Sequence, residues 1–258
     1  MEIEDDVNPV LAEMLQTGVA ISESGKQLRV SSHITAEEGR FLQEIVAEVK
    51  PRVSLEVGLA YGVSALFICE TLANQPAAKH IVIDPHQFQP TDMHKNHFTF
   101  DGAGLSNLKK AGYDRFVDFR NSTSQLALPQ LVSEGVEVDF AFIDGWHTFD
   151  FALIDFFYVD RLLRRGGVVV LDDTDFPSVW KLCRYIVTNR AYKVVRCLAS
   201  NTLPTARLPK RLAIRYSRKL WRNSRGIFRG DGLKPYSRCI AFRKEADDSR
   251  SWDFHVDF

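Results

Sequence analysis

Short apolar runs without helical period recur along the chain at Val53–Val57, Ile81–Ile83, Phe116–Phe119, Phe140–Ile143 and Val168–Leu171. Segments with helical spacing separate them, at 62–73, about 102–111, about 123–133 and about 149–164, and another, 177–190, follows the fifth run. A strand that is apolar on both faces must be covered on both faces. That is the condition of a parallel sheet with helices above and below it. Two later runs, Lys193–Leu198 and Arg238–Phe242, bring the candidate strands to seven. The expectation is an α/β fold with a seven-stranded, mostly parallel sheet.

Ahead of this pattern, residues 9–20 read as a short amphipathic helix through Val10, Leu11, Met14 and Leu15. Thr35-Ala-Glu-Glu38 has the form of a capping box, a Thr N-cap with Glu at the third helical position. Phe41, Leu42, Ile45, Val46 and Val49 follow at helical spacing, and Pro51 ends the helix. The chain thus divides into an N-terminal helical cap (1–50), a core (51–200), a basic insertion (201–236) and a last strand with its tail (237–258).

The ends of the strands carry the chemistry. Glu56 closes the first run and Asp84 the second. Asn121 and Ser122 follow the third, Asp144 the fourth, and Asp172 with Asp173 the fifth. In a parallel sheet these ends share one edge, where open α/β folds bind ligands. The first strand leads into Glu56-Val-Gly58-Leu-Ala-Tyr61-Gly62-Val-Ser64, a glycine loop that permits a tight turn and close approach to a ligand. Its spacing is not the G-x-G-x-x-G of dinucleotide binders, and it lacks the lysine of a phosphate-binding loop. An acid before the loop would repel a pyrophosphate and suits a cationic or hydroxyl-rich ligand.

The E-x-G-x-x-x-G-x-S form resembles motif I of class I methyltransferases, in particular the catechol O-methyltransferase type. The resemblance covers about residues 33–198 and implies a Rossmann-like fold with S-adenosylmethionine as cofactor. It implies that the glycine loop (Glu56, Gly58, Tyr61, Gly62 and Ser64) meets the amino acid part of the cofactor. Asp84, 28 residues after Glu56, would then accept hydrogen bonds from the ribose hydroxyls. The polar turn Asn121–Ser124, represented by Ser122, would lie near the adenine, and Asp144 would also border the cofactor.

Asp144, Asp172 and Asp173 on adjacent strand ends would repel one another if unpaired, and a hard divalent cation such as Mg²⁺ resolves this. Metal-dependent O-methyltransferases resemble the pattern, with an Asp after strand four and an Asp-Asp or Asp-Asn pair after strand five. Catechol enzymes have Asn at the last position, and bacterial sugar and macrolide O-methyltransferases more often Asp, as here. The other reading is that Asp172 and Asp173 only cap a turn. His147, three residues past Asp144, stands where such families place a lysine or histidine general base. Its intrinsic pKa suits removal of a hydroxyl proton. Trp146 would line an acceptor pocket or pack in the core, and His86, His94 and His97 have no zinc-site spacing.

Lys plus Arg and Asp plus Glu both number 33, so formal charge is zero, but the distribution is uneven. Arg207 to Arg238 holds 11 Lys/Arg and a single acid, Asp231. Leu208, Leu212, Tyr216 and Leu220 recur there every four residues, which predicts a basic helix with one apolar face. It reads as a lid for an anionic or lipid-linked acceptor, as a contact with an anionic membrane surface, as a phosphate-binding arm, or as a solvated helix paired with the acidic body. No nucleic-acid motif accompanies it, so RNA methylation ranks low. The four cysteines form no C-x-x-C pair, and Met1–Asn8 lacks the features of a signal peptide. A cytoplasmic enzyme is expected, as a monomer or homo-oligomer. The leading function is methyl transfer to a hydroxyl of a small molecule, a sugar, phenol or natural product. A metal-independent N- or O-methyltransferase and a non-catalytic cofactor-binding protein acting through its basic segment stand as alternatives.

Overall fold

The computed structural model describes residues 7–31, 33–75, 77–90, 99–199 and 232–258. Most of the basic insertion, and His94 and His97, lie outside the described residues.

The chain opens with α1 (Pro9–Thr17), then β1 (Val19–Ile21) and β2 (Gln27–Arg29), and α2 (Ala36–Val49). It alternates through β3 (Val53–Val57), α3 (Val63–Leu72), β4 (Lys79–Ile83), α4 (Ala103–Lys110), β5 (Val117–Arg120) and α5 (Ser124–Ser133). It ends with β6 (Val138–Ile143), α6 (Phe149–Leu162), β7 (Leu163–Leu171), α7 (Pro177–Asn189), β8 (Tyr192–Ala199) and β9 (Ser237–Lys244).

The seven strands β3–β9 form one sheet in the order β5-β4-β3-β6-β7-β9-β8. Neighbours from β5 to β7 are parallel. β9 enters antiparallel between β7 and β8. β8 therefore runs with the other parallel strands, and Ala199 at its end reaches the same edge as Val57, Ile83 and Ile143.

Period-two alternation sends successive side chains to opposite faces. Phe140, Phe142, Val168 and Val170 pack with α1–α4 on one side. Ala141, Ile143, Val169 and Leu171 pack with α5–α7 on the other. Both faces are thus buried, as the apolar runs require.

Two features depart from the sequence expectation. The first helix ends at Thr17, where Gly18 adopts φ 65° and its N–H returns to the Met14 carbonyl. A left-handed glycine cap stops a helix, and the chain continues into the unexpected hairpin β1–β2. β7 begins at Leu163, directly after α6, rather than at Val168.

Candidate active site

The parallel strands end around a cavity of about 510 Å³ lined by the glycine loop, Asp84, His86, Thr123–Gln125 and Asp144–His147. His33 and Ile34, just ahead of α2, close one wall. The volume lies within the range of small-molecule and cofactor sites.

The loop between β3 and α3 approaches its neighbours closely. Gly58 has φ 96°, and a Cβ there would collide with the carbonyl oxygen of Asp144. Gly62, at φ 83°, starts α3 and would put a Cβ against Gly104. The two glycines are structural requirements, and Gly58, Tyr61 and Ser64 face the cavity.

Glu56 does not face it. Its carboxylate is fully buried behind the loop, where it accepts from the Ser64 hydroxyl and faces His80 Nε2 at 3.1 Å. His80 Nδ1 in turn lies 2.8 Å from Ser54 Oγ. Glu56, expected at the cofactor, lies outside the cavity lining, and its carboxylate ties the loop and the start of α3 to β4. Neither Gly62 nor Ser122 lines the cavity, because the chain turns at Thr123, and Thr123, Ser124 and Gln125 face the ligand space instead.

Asp84 lines the cavity and clamps the loop at the same time. Its Oδ2 accepts from the backbone N–H of Leu59 (3.1 Å) and Ala60 (2.9 Å) and from Gln87 Nε2 (3.1 Å). Oδ1 accepts only from the His86 N–H among the described residues, at 2.6 Å, and keeps a lone pair for a ligand hydroxyl. Thr123 Oγ1 and His86 Nδ1, in cavity-lining residues, are buried and have no hydrogen-bond partner among the described residues. Buried polar atoms normally have partners, so these fit a polar ligand.

Beyond the glycine loop lies a cluster of acids. Asp144, His147 and Asp173 bring one ligand atom each within 4.8 Å of the others. His147 Nε2 is 3.1 Å from Asp173 Oδ2 and 3.9 Å from Asp144 Oδ1. Asp172 is next in sequence but turns toward Glu38 and Cys239, whose thiol donates to its Oδ1 at 2.9 Å. The expected trio Asp144, Asp172 and Asp173 is therefore divided, with His147 in the place foreseen for Asp172. Asp173, the residue after Asp172, adopts a left-handed φ of 50°.

Charge repulsion marks the whole cluster. Burial, with Asp172 and Asp173 nearby, holds the Asp144 carboxyl well above its ordinary range. Burial, with Glu38 and Asp173, pushes Asp172 up to about 7. Asp173 is also raised by burial, although His147 and Arg238 oppose this. Burial lowers the pKa of His147 against the pull of Asp173. The donor set therefore fits a hard divalent cation, which would relieve the repulsion.

Sequence reasoning did not find Glu38 or Arg238 as part of this site. Arg238 Nε donates to Glu38 Oε1 and Nη1 to Asp173 Oδ1, both at 2.8 Å. Glu38 was legible only as a capping residue, and Arg238 only as the last charge of a basic stretch. Phe176 packs edge-on against His147 at 5.4 Å, and Trp146 stands exposed beside it.

Residues 55–174 match a family model described as a methyltransferase domain. This stretch spans β3 to the acids after β7, the glycine loop and the acidic cluster included. Over these residues the chain is similar to methyltransferase domains. Its relatives include catechol O-methyltransferase B of Danio rerio, 28% identical over 163 residues, covering 61% of this chain and 55% of that protein. Caffeoyl-CoA O-methyltransferase of Medicago sativa is 25% identical over 147 residues, covering 54% and 52%. The chain thus spans about half the length of the curated relatives it matches. The fold of the methyltransferase domain is shared by an O-methyltransferase from Bacillus cereus solved in complex with SAH, with a TM-score of 0.60 at 17% identity. That superposition covers 91% of this chain and 90% of the other.

Proposed function

We propose that this chain is an S-adenosylmethionine-dependent O-methyltransferase acting on a hydroxyl of a small molecule, with a divalent cation at its acidic cluster. The observation that carries the reading is the placement of Asp144, His147 and Asp173 beside the cavity of the glycine loop.

In this mechanism the glycine loop would hold the cofactor, Asp84 would accept from a ribose hydroxyl, and Thr123, Ser124 and Gln125 would border the adenine. Asp144 and Asp173 would hold the cation, which supplies Lewis acidity toward the acceptor hydroxyl. His147 directs Nε2 at Asp173 and Asp144. A neutral ring facing carboxylates carries its proton on that nitrogen, so Nδ1 is free to take the hydroxyl proton. The acceptor oxygen then attacks the sulfonium methyl carbon, the carbon–sulfur bond breaks, and S-adenosylhomocysteine leaves. Positioning supplies much of the acceleration.

Calorimetry with S-adenosylhomocysteine tests the cofactor assignment. The wild type should bind, and Asp84→Ala should weaken binding by about tenfold or more, the loss of charge-assisted hydrogen bonds. No binding by the wild type would sink the reading.

One observation favours a metal-independent variant of this reaction. Arg238 already places a cation on Asp173, and Asp172 is engaged by Cys239. Chelation separates the two. Activity that survives EDTA and an Asp144→Asn substitution removes the cation from the mechanism.

A further inference from the structure

The acidic cluster is joined to the opposite wall of the cavity by a continuous series of polar contacts. The series starts at Thr35, next to the cavity-lining pair His33 and Ile34. The Thr35 N–H donates to Glu38 Oε2 at 2.5 Å, and Thr35 Oγ1 accepts from the Glu38 N–H at 3.2 Å. The other Glu38 oxygen takes the Arg238 Nε–H at 2.8 Å. Arg238 Nη1 reaches Asp173 Oδ1 at 2.8 Å, and Asp173 Oδ2 faces His147 Nε2 at 3.1 Å.

We propose that Arg238 is a positioning residue that couples the cavity wall at His33–Ile34, through Glu38, to the Asp173 carboxylate that orients His147. The inference rests on the proposed methyltransferase reading and deepens it.

Three features of the site support the assignment. Glu38 is 1% exposed, and a buried carboxylate is retained at low cost only if it is paired. The capping box satisfies one oxygen, and Arg238 the other. The planar guanidinium spans two carboxylates on different elements, α2 and the loop after β7, and a point-charge ammonium cannot reproduce that fork. Asp173 sits at positive φ, a conformation that persists only where the surroundings hold it. Arg238 and His147 are the groups that hold its two oxygens. Two further acids lie nearby: Asp175, whose Oδ1 is 3.6 Å from Arg238 Nη1, and Asp172, which clusters with Glu38.

If Arg238 fixes Asp173, it also fixes which nitrogen of His147 carries the proton. It further makes the metal-binding power of Asp144 and Asp173 depend on α2. Groups that orient primary ligands are worth about 10–100-fold in metal affinity or activity.

The test uses Arg238→Gln, Arg238→Lys and Glu38→Gln in the full chain. Calorimetry with S-adenosylhomocysteine is run in parallel on the wild type and each variant, to read the cofactor site separately from the acidic cluster. Binding absent in the wild type would defeat the methyltransferase reading itself. With that binding retained, Mn²⁺ titration should show affinity weakened about 10–100-fold in Arg238→Gln and in Glu38→Gln. The double variant should lose no more than the worse single one, since both break one connection. Nitrogen-15 shifts of the His147 ring, assigned with His147→Asn, should report a single Nε2–H tautomer in the wild type and a mixture in Arg238→Gln. Should Arg238→Gln fail to fold, Arg238→Lys and Glu38→Gln carry the same two readouts. Unchanged Mn²⁺ affinity together with an unchanged tautomer in the folded variants would overturn the proposal.

Discussion

Asp155 shows how much of this site is decided below the level of motifs. It lies on α6, 1% exposed, with Oδ1 lacking a partner. Burial pushes its carboxyl up to about 6, although Ser124 donates to it. A carboxyl raised on folding binds more protons folded than unfolded between its ordinary value near 3.8 and about 6. Its favourable contribution is thus present at low pH and lost as pH rises through that window, at a cost of about 3 kcal/mol once ionised. Urea unfolding at pH 4 and pH 7 should show stability falling for this reason in the wild type, and Asp155→Asn should lack that part of the fall. Identical pH slopes in the two proteins would refute this account. Nothing in the sequence marks Asp155, since an acid on an amphipathic helix reads as a solvated residue. Asp84, Asp144 and His147 were legible because strand ends fix which edge a residue occupies. Asp172 meets Glu38 and Cys239 in the structure, an orientation that its place at a strand end does not dictate.

At the scale of elements, strands and helices of the core follow from periodicity, and their register follows from turns. Seven strands were readable because continuous apolar runs have one stable environment, a covered parallel sheet. The β1–β2 hairpin was not readable: its strands are three residues each, too short for alternation to register. The glycine loop was readable as a ligand loop, whereas the role of Glu56 depended on His80, 24 residues away. That pairing gives a prediction. Glu56→Gln preserves shape but removes the charge facing His80 and leaves one amide oxygen where two carboxylate oxygens met Ser64 and His80. Since the carboxylate lies behind the loop, the change should act on loop order rather than on ligand contacts. Hydrogen exchange at residues 58–64 should accelerate, and S-adenosylhomocysteine affinity should fall less than in Asp84→Ala. A larger loss in Glu56→Gln than in Asp84→Ala would place Glu56 in the ligand space after all.

At the scale of the whole molecule, the methyltransferase core closes without the basic stretch. The two apolar cores lie on opposite faces of one sheet, and Ala199 at the end of β8 pairs in register with Ser237 at the start of β9. The excursion between them therefore leaves and returns at neighbouring points on the ligand edge. Gly232 already lies back against β8, its carbonyl 3.7 Å from Cys197 Sγ. A linker of about six Gly/Ser residues, at roughly 3.3–3.6 Å each, could replace 201–231. This stretch holds most of the chain's local excess of positive charge, and Arg238, just after it, pairs with Asp173 of the acidic cluster. Cationic residues near a cleft raise the local concentration of anionic substrates, and salt screens that effect. The shortened chain should keep its melting temperature and its S-adenosylhomocysteine affinity. With an anionic acceptor, the wild type should show a KM that rises with ionic strength, and the shortened chain a higher KM that salt barely alters. Equal salt dependence in both proteins would assign the basic stretch to a role away from the acceptor, and unfolding of the shortened chain would show that the core needs it for stability.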